Sequence, residues 1–114
     1  MEIKKGNIYW INFSPATGSE LKDMHPAVVV QATHINNTAI NTVVVVGITS
    51  NIRLKDIKGN VYIKKNHFGL KKDSVINISQ IFTVDKIRLE KYIGTLPLPV
   101  LEEVYFGLDL LFGK

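Results

Sequence analysis

Few residues of this chain are equipped for chemistry. His25, His34 and His67 are the side chains that exchange a proton near neutral pH. Ser19 and Glu20 stand close before His25, Thr49 and Ser50 end one apolar run, and Asn77, Ser79 and Gln80 interrupt another. Hydroxyls and amides can hold phosphate oxygens while a histidine moves a proton. Such a set suits RNA, which carries its own nucleophile in the 2′-hydroxyl. Cleavage then needs a base, an acid and donors for the charge that develops on phosphorus, with no metal. The same residues fit ordinary surface polarity equally well.

No stronger motif competes. There is no P-loop, GxGxxG, HExxH or GxSxG. The histidines are far apart and lack metal-ligand spacing, so the expectation is no metal and no cofactor. Cysteine is absent, which excludes disulfides, thiolate-bound zinc and a thiol nucleophile, and suits a reducing cytoplasm. The charged start, Met1 to Lys5, has no apolar h-region. No apolar stretch approaches the roughly 20 residues of a membrane span. These features predict a soluble cytoplasmic protein without membrane contact.

The 114 residues fit one domain, 1–114. Lys plus Arg number 14 against 10 Asp plus Glu, a formal +4. Only Arg53 and Arg88 are arginines, and the cations cluster: Arg53 to Lys72 holds seven of them and one acid, Asp56. That cluster favours an anionic partner, with Lys64, Lys65, Lys71 and Lys72 as candidate phosphate contacts. Lysine on exposed strand edges also blocks edge-to-edge pairing.

Most of the chain reads as short strands that must position these groups. Asn7 to Phe13 is β-branched and aromatic, and Ser14-Pro15 stops it. Pro15 to Pro26 reads as a loop. Ala27 to Ala32 and Asn41 to Ser50 are buried-type strands, the second with Gly47 marking a bulge or bend. Val61 to Lys65, Ser74 to Val84 and Lys91 to Leu96 complete the set, with the alternation in Ser74 to Val84 placing Asn77 and Ser79 on one face and Gln80 and Phe82 on the other. From Leu98, apolar Leu101, Val104, Leu108, Leu111 and Phe112 fall at helical spacing. Pro97 and Pro99 suit the helix start. Trp10 is expected to fill a core or an interface. The fold class is mainly β with α: a small barrel of bent antiparallel strands with a C-terminal helix.

Eight short motifs in order carry a resemblance that spans nearly the whole chain. They are Gly6-Asn7-Ile8-Tyr9-Trp10, Phe13-Ser14-Pro15, Gly18-Ser19-Glu20, Pro26-Ala27-Val28-Val29-Val30-Gln31, Ile48-Thr49-Ser50, Gly69-Leu70-Lys71-Lys72-Asp73-Ser74-Val75, Gln80-Ile81 and Thr83-Val84-Asp85-Lys86. The chain resembles the MazF/PemK family, the endoribonuclease half of bacterial type II toxin–antitoxin pairs. The resemblance implies an SH3-like barrel of the CcdB/MazF type, a homodimer, and metal-independent cleavage of single-stranded RNA to a 2′,3′-cyclic phosphate and a 5′-hydroxyl. It further implies growth inhibition, a cognate antitoxin with an acidic flexible tail, and DNA binding together with that antitoxin. Carried onto this sequence, the catalytic positions are His25, where the family usually has arginine, and Thr49. Ser19, Glu20, Ser50, Ser79, Gln80, Lys71 and Lys72 are the substrate-binding candidates. Phe82 occupies a second position where the family often has arginine. Two other functions suit the same residues: a non-catalytic module that keeps antitoxin and RNA binding, and a gyrase-directed poison of the CcdB type.

Overall fold

The computed structural model describes residues 2–14 and 23–114. Ser19 and Glu20, with most of the expected Pro15 to Pro26 loop, lie outside the described residues. The strands are β1 (Asn7–Asn12), β2 (Met24–Val29), β3 (Thr42–Thr49), β4 (Val61–Ile63), β5 (Ser74–Asp85) and β6 (Leu89–Thr95). A four-residue helix α1 (Thr33–Asn36) joins β2 to β3, and the chain ends in α2 (Leu98–Phe112). Short 3-10 turns span Ile52–Asp56, within the polar stretch, and Lys86–Arg88.

All six strands form one antiparallel sheet in the order β4-β5-β3-β2-β1-β6. The sheet curls into a half-barrel. The curl starts at Gly47, as the glycine in that apolar run predicts. Val46 pairs with Ile81 but Ile48 pairs with Ile76, so four residues of β5 pass opposite one residue of β3. A bulge of this size bends both strands. The bend also explains the burial of β5. Asn77 and Ile78 are both buried while Ser79 and Gln80 are exposed, so a single two-residue alternation does not describe that strand. The Ile78 N–H, freed from the ladder, donates to Asn60 Oδ1 at 2.9 Å, which answers its need for a partner.

The curl closes where the loop after β4 meets β6. A Cβ on Gly94 would lie 2.1 Å from the Phe68 carbonyl oxygen, and one on Gly69 would lie 2.2 Å from the Ile93 carbonyl oxygen. Two backbones pass here with no room for a side chain. Asn66, Phe68 and Gly69 all take positive φ, +66°, +55° and +84°, so the loop folds tightly.

One core group joins Ile8, Val28, Val46, Ile48, Ile76 and Ile78 of the sheet to Leu101, Val104 and Leu108 of α2. A second gathers Tyr9, Ile11, Ala27, Val29, Val43 and Val45 under Ile3 and Leu89. Gly107, unhelpful to helix propensity, lets α2 ride over Gly59: a Cβ there would meet the Gly59 oxygen at 2.3 Å. Leu111 and Phe112 share the helical spacing but remain exposed, 47% and 64%. Gly113 caps the helix with φ +76°.

Candidate active site

β2 begins at Met24, earlier than its composition suggests, and includes Pro26. Over Met24–Pro26 it pairs with β1 alone, because the ladder to β3 runs only from Ala27 to Val29. A residue without an N–H is tolerated on such an unpaired edge. This short extension carries His25 out of the loop and onto the sheet. Ala27 pairs with Gly47; the same register, carried two residues further, sets His25 across from Thr49.

His25 and Thr49 line one cleft of about 680 Å³. Ser50, Lys71 and Lys72 line it as well, so five of the substrate and catalytic candidates meet. Trp10, Lys91 and Tyr92 line it from β1 and β6. Trp10 is thus not core; it is 38% exposed and lines the cleft. The lining includes three lysines, Lys71, Lys72 and Lys91. Cations with exposed aromatic faces suit single-stranded nucleic acid, whose phosphates want charge and whose bases want stacking.

Ser79 and Gln80 do not line this cleft. They sit on the β5 bulge, where Gln80 lies over Gly47. Phe82 lies beyond, its ring 4.9 Å from that of Phe13, which in turn is 6.2 Å from the His25 ring. Gln80 and Phe82 therefore adjoin the site on the His25 face of the sheet. Lys64 and Lys65 also fall outside the lining. Lys65 gives its backbone N–H to Asp73 Oδ1 at 2.8 Å, a contact that shapes the loop carrying Lys71 and Lys72. His34 lies in α1 and His67 in the loop after β4; both are exposed and neither lines the cleft.

The two candidate reactive groups are held differently. Thr49 is half-buried, and its Oγ1 accepts from the Asn51 N–H at 3.1 Å. That bond occupies a lone pair and leaves the hydroxyl hydrogen to donate to an oxyanion. His25 is exposed, with Nε2 2.5 Å from Asp23 Oδ1. Asp23 carries no signal in the sequence, because its two-residue spacing from His25 gives a shared face only where the chain is extended. Lys91 and Tyr92 carry no local signal, because only the pairing of β6 with β1 brings them in.

Two tyrosines outside the cleft titrate above their usual range. Tyr105 is raised by burial and donates its hydroxyl to the Val30 carbonyl at 2.5 Å. Tyr62 is raised by desolvation first, then by the charge and hydrogen bond of Asp73. Among the described residues no helix is long and apolar enough to cross a membrane.

The profile of PemK-like, MazF-like toxins of type II toxin–antitoxin systems matches residues 4–112. An endoribonuclease MazF from Staphylococcus epidermidis is 37% identical over 111 residues, covering 97% of this chain and 92% of that protein. Endoribonuclease MazF6 of Mycobacterium tuberculosis is 34% identical over 108 residues, 95% of each chain. Among solved structures, a MazE–MazF complex from Deinococcus radiodurans superposes with a TM-score of 0.79 at 25% identity, covering 100% of this chain and 98% of the matched one.

Proposed function

This chain belongs to the PemK/MazF toxin family of type II toxin–antitoxin systems, and from that premise we propose that it is an endoribonuclease cleaving single-stranded RNA in the cytoplasm without a metal. The observation that carries this reading is the meeting of His25 and Thr49 with Lys71, Lys72 and Lys91 in one cleft. In this scheme the lysines hold the RNA phosphates. His25 takes the proton from the 2′-hydroxyl, and the Thr49 hydroxyl donates to a non-bridging oxygen as charge builds on phosphorus. The 2′-oxygen bonds to phosphorus, the bond to the 5′-oxygen breaks, and the products are a 2′,3′-cyclic phosphate and a 5′-hydroxyl. Trp10 and Tyr92 offer faces for the unpaired bases. Ser19 and Glu20 are assigned to substrate contacts on the family motif, as is Gln80 beside the site.

The lysine-lined cleft also supports an antitoxin partner whose acidic tail covers it, by simple charge complementarity. A homodimer is the proposed assembly. The exposed Leu98, Phe106 and Phe112 of α2 give a second copy apolar surface to bury.

The test is cleavage of a mixed-sequence RNA in EDTA by the wild type and by His25→Ala. Wild-type cleavage that falls about 100-fold or more in the variant supports the enzyme reading. Replacement of the family arginine by His25 favours a second reading, a binding module that has lost its catalysis. Tight RNA binding with no cleavage by the wild type would establish that module instead.

A further inference from the structure

An arginine at the catalytic position acts as a fixed cation with five donors and needs no instruction. A histidine is different. Neutral imidazole has one donor and one acceptor nitrogen, and a hydrogen bond decides which is which. Something must therefore set the tautomer of His25 if it is to receive a proton, and the structure supplies a candidate.

Asp23 and His25 are two residues apart in extended chain, so their side chains leave on one face. Asp23 is fixed through its backbone on both sides. Its N–H donates to Ser14 Oγ at 2.7 Å, and its carbonyl accepts from the Phe13 N–H at 2.8 Å. The opposing strand end is tied in turn: the Ser14 N–H donates to Asn12 Oδ1 at 2.9 Å, and the Arg88 guanidinium donates to the carbonyls of Asn12 and Ser14. These bonds extend the β1–β2 pairing past its last strand residue. They hold the carboxylate with Oδ1 2.5 Å from His25 Nε2. The Phe13 ring flanks the imidazole at a tilt of 45°. Among the described residues Nδ1 has no hydrogen-bond partner.

We propose that Asp23 is a positioning residue for His25, accepting the Nε2–H so that Nδ1 is the atom that takes the 2′-hydroxyl proton. The proposal rests on His25 being the base. In the step, the 2′-hydroxyl proton passes to Nδ1 while the 2′-oxygen bonds to phosphorus. The bond from phosphorus to the 5′-oxygen breaks, and that oxygen takes a proton from water. The imidazolium then returns the Nδ1 proton to the hydroxide so formed. The Nε2 proton stays on His25 throughout, hydrogen-bonded to Asp23.

The experiment combines single-turnover cleavage of a mixed-sequence RNA with the side-chain ¹⁵N–¹H correlation spectrum of the full chain, recorded with the histidines neutral. The wild-type His25 is expected in the Nε2–H form. Asp23→Asn and Asp23→Ala should lose that uniform tautomer and slow the bound-state rate about 10- to 100-fold, with RNA affinity within about twofold. Asp23→Glu should restore part of the rate, because its carboxylate can still reach Nε2. A wild-type Nδ1–H form, or an Asp23→Ala protein that cleaves at the wild-type rate, would overturn the pairing. His25→Ala separates the two levels. If it abolishes cleavage while Asp23→Ala does not, only the pairing fails; if it leaves cleavage intact, the assignment of the base fails as well.

Discussion

The two walls of the cleft are built on opposite terms. On one side the loop Asn66–Leu70 presses backbone to backbone against β6, with Gly69 and Gly94 chosen by lack of space. On the other side His25 stands exposed at the end of a half-paired strand, and half-buried Thr49 ends β3 with its oxygen tied to Asn51. The tight wall fixes where Lys71 and Lys72 stand. The open wall leaves the proposed reactive groups accessible, and its polar contacts orient side chains rather than bury them. Stability and chemistry are thus divided between different segments of the chain.

The division can be broken from either side. The largest effect is expected at the tight wall. Gly94→Ala puts a Cβ 2.1 Å from the Phe68 oxygen, a clash of backbone that no side-chain rotation relieves, and should cost about 3 kcal/mol in urea unfolding. His25→Ala under the same measurement should stay within about 0.5 kcal/mol, since the side chain is mostly exposed. Equal losses in the two variants would erase the contrast.

Thr49→Ala tests the open wall. Removing one donor to the developing oxyanion should lower the cleavage rate about 100-fold, close to 2.7 kcal/mol of barrier, while Thr49→Ser should keep most of it. A Thr49→Ala enzyme with unchanged single-turnover rate would remove this hydroxyl from the chemistry.

The combined Lys71→Ala and Lys72→Ala change should act on binding and spare folding. Each lost phosphate contact on a single strand lowers the salt slope by about 0.7, so the pair should flatten the plot of log affinity against log salt by about 1.4. An unchanged slope would place the RNA path elsewhere, Lys64 and Lys65 being the next lysines to test.

The smallest effect lies away from both walls, at Tyr105. Burial raises its phenol, so the folded state holds this proton more tightly than the unfolded chain does. Its contribution to stability is complete below the unfolded value near 10 and is lost as pH rises through the higher folded value. Wild-type stability should therefore fall more steeply above pH 10 than that of Tyr105→Phe, in denaturant midpoints taken across that range.

Much of this was legible in the residues. β-branched runs name the strands, Gly47 names the bend, and the spacing of Leu101, Val104 and Leu108 names the helix and its buried face. These are local properties, set by backbone sterics and by how often an apolar side chain recurs. His25 and Thr49 were legible as candidates through motif order; Asp23 was not, because a two-residue spacing means a shared face only once the segment is known to be extended. The start of β2 was not, because Pro26 reads as a loop until one knows that its strand has a neighbour on one side only. The exposure of Leu111 and Phe112 was hidden for a related reason: periodicity gives a helix face but not the extent of the surface it meets.

What the sequence determined by itself is the six strands, the terminal helix and the inventory of candidate reactive groups. Tertiary structure decided which of those groups share a cleft. Lys91 and Tyr92 join the cleft because β6 returns to pair with β1, Trp10 reaches it through the β1–β2 ladder, and Lys71 comes near Thr49 because β5 begins opposite the end of β3. Such meetings depend on sheet bend and strand order. Those are set by contacts between distant segments, which no local pattern encodes.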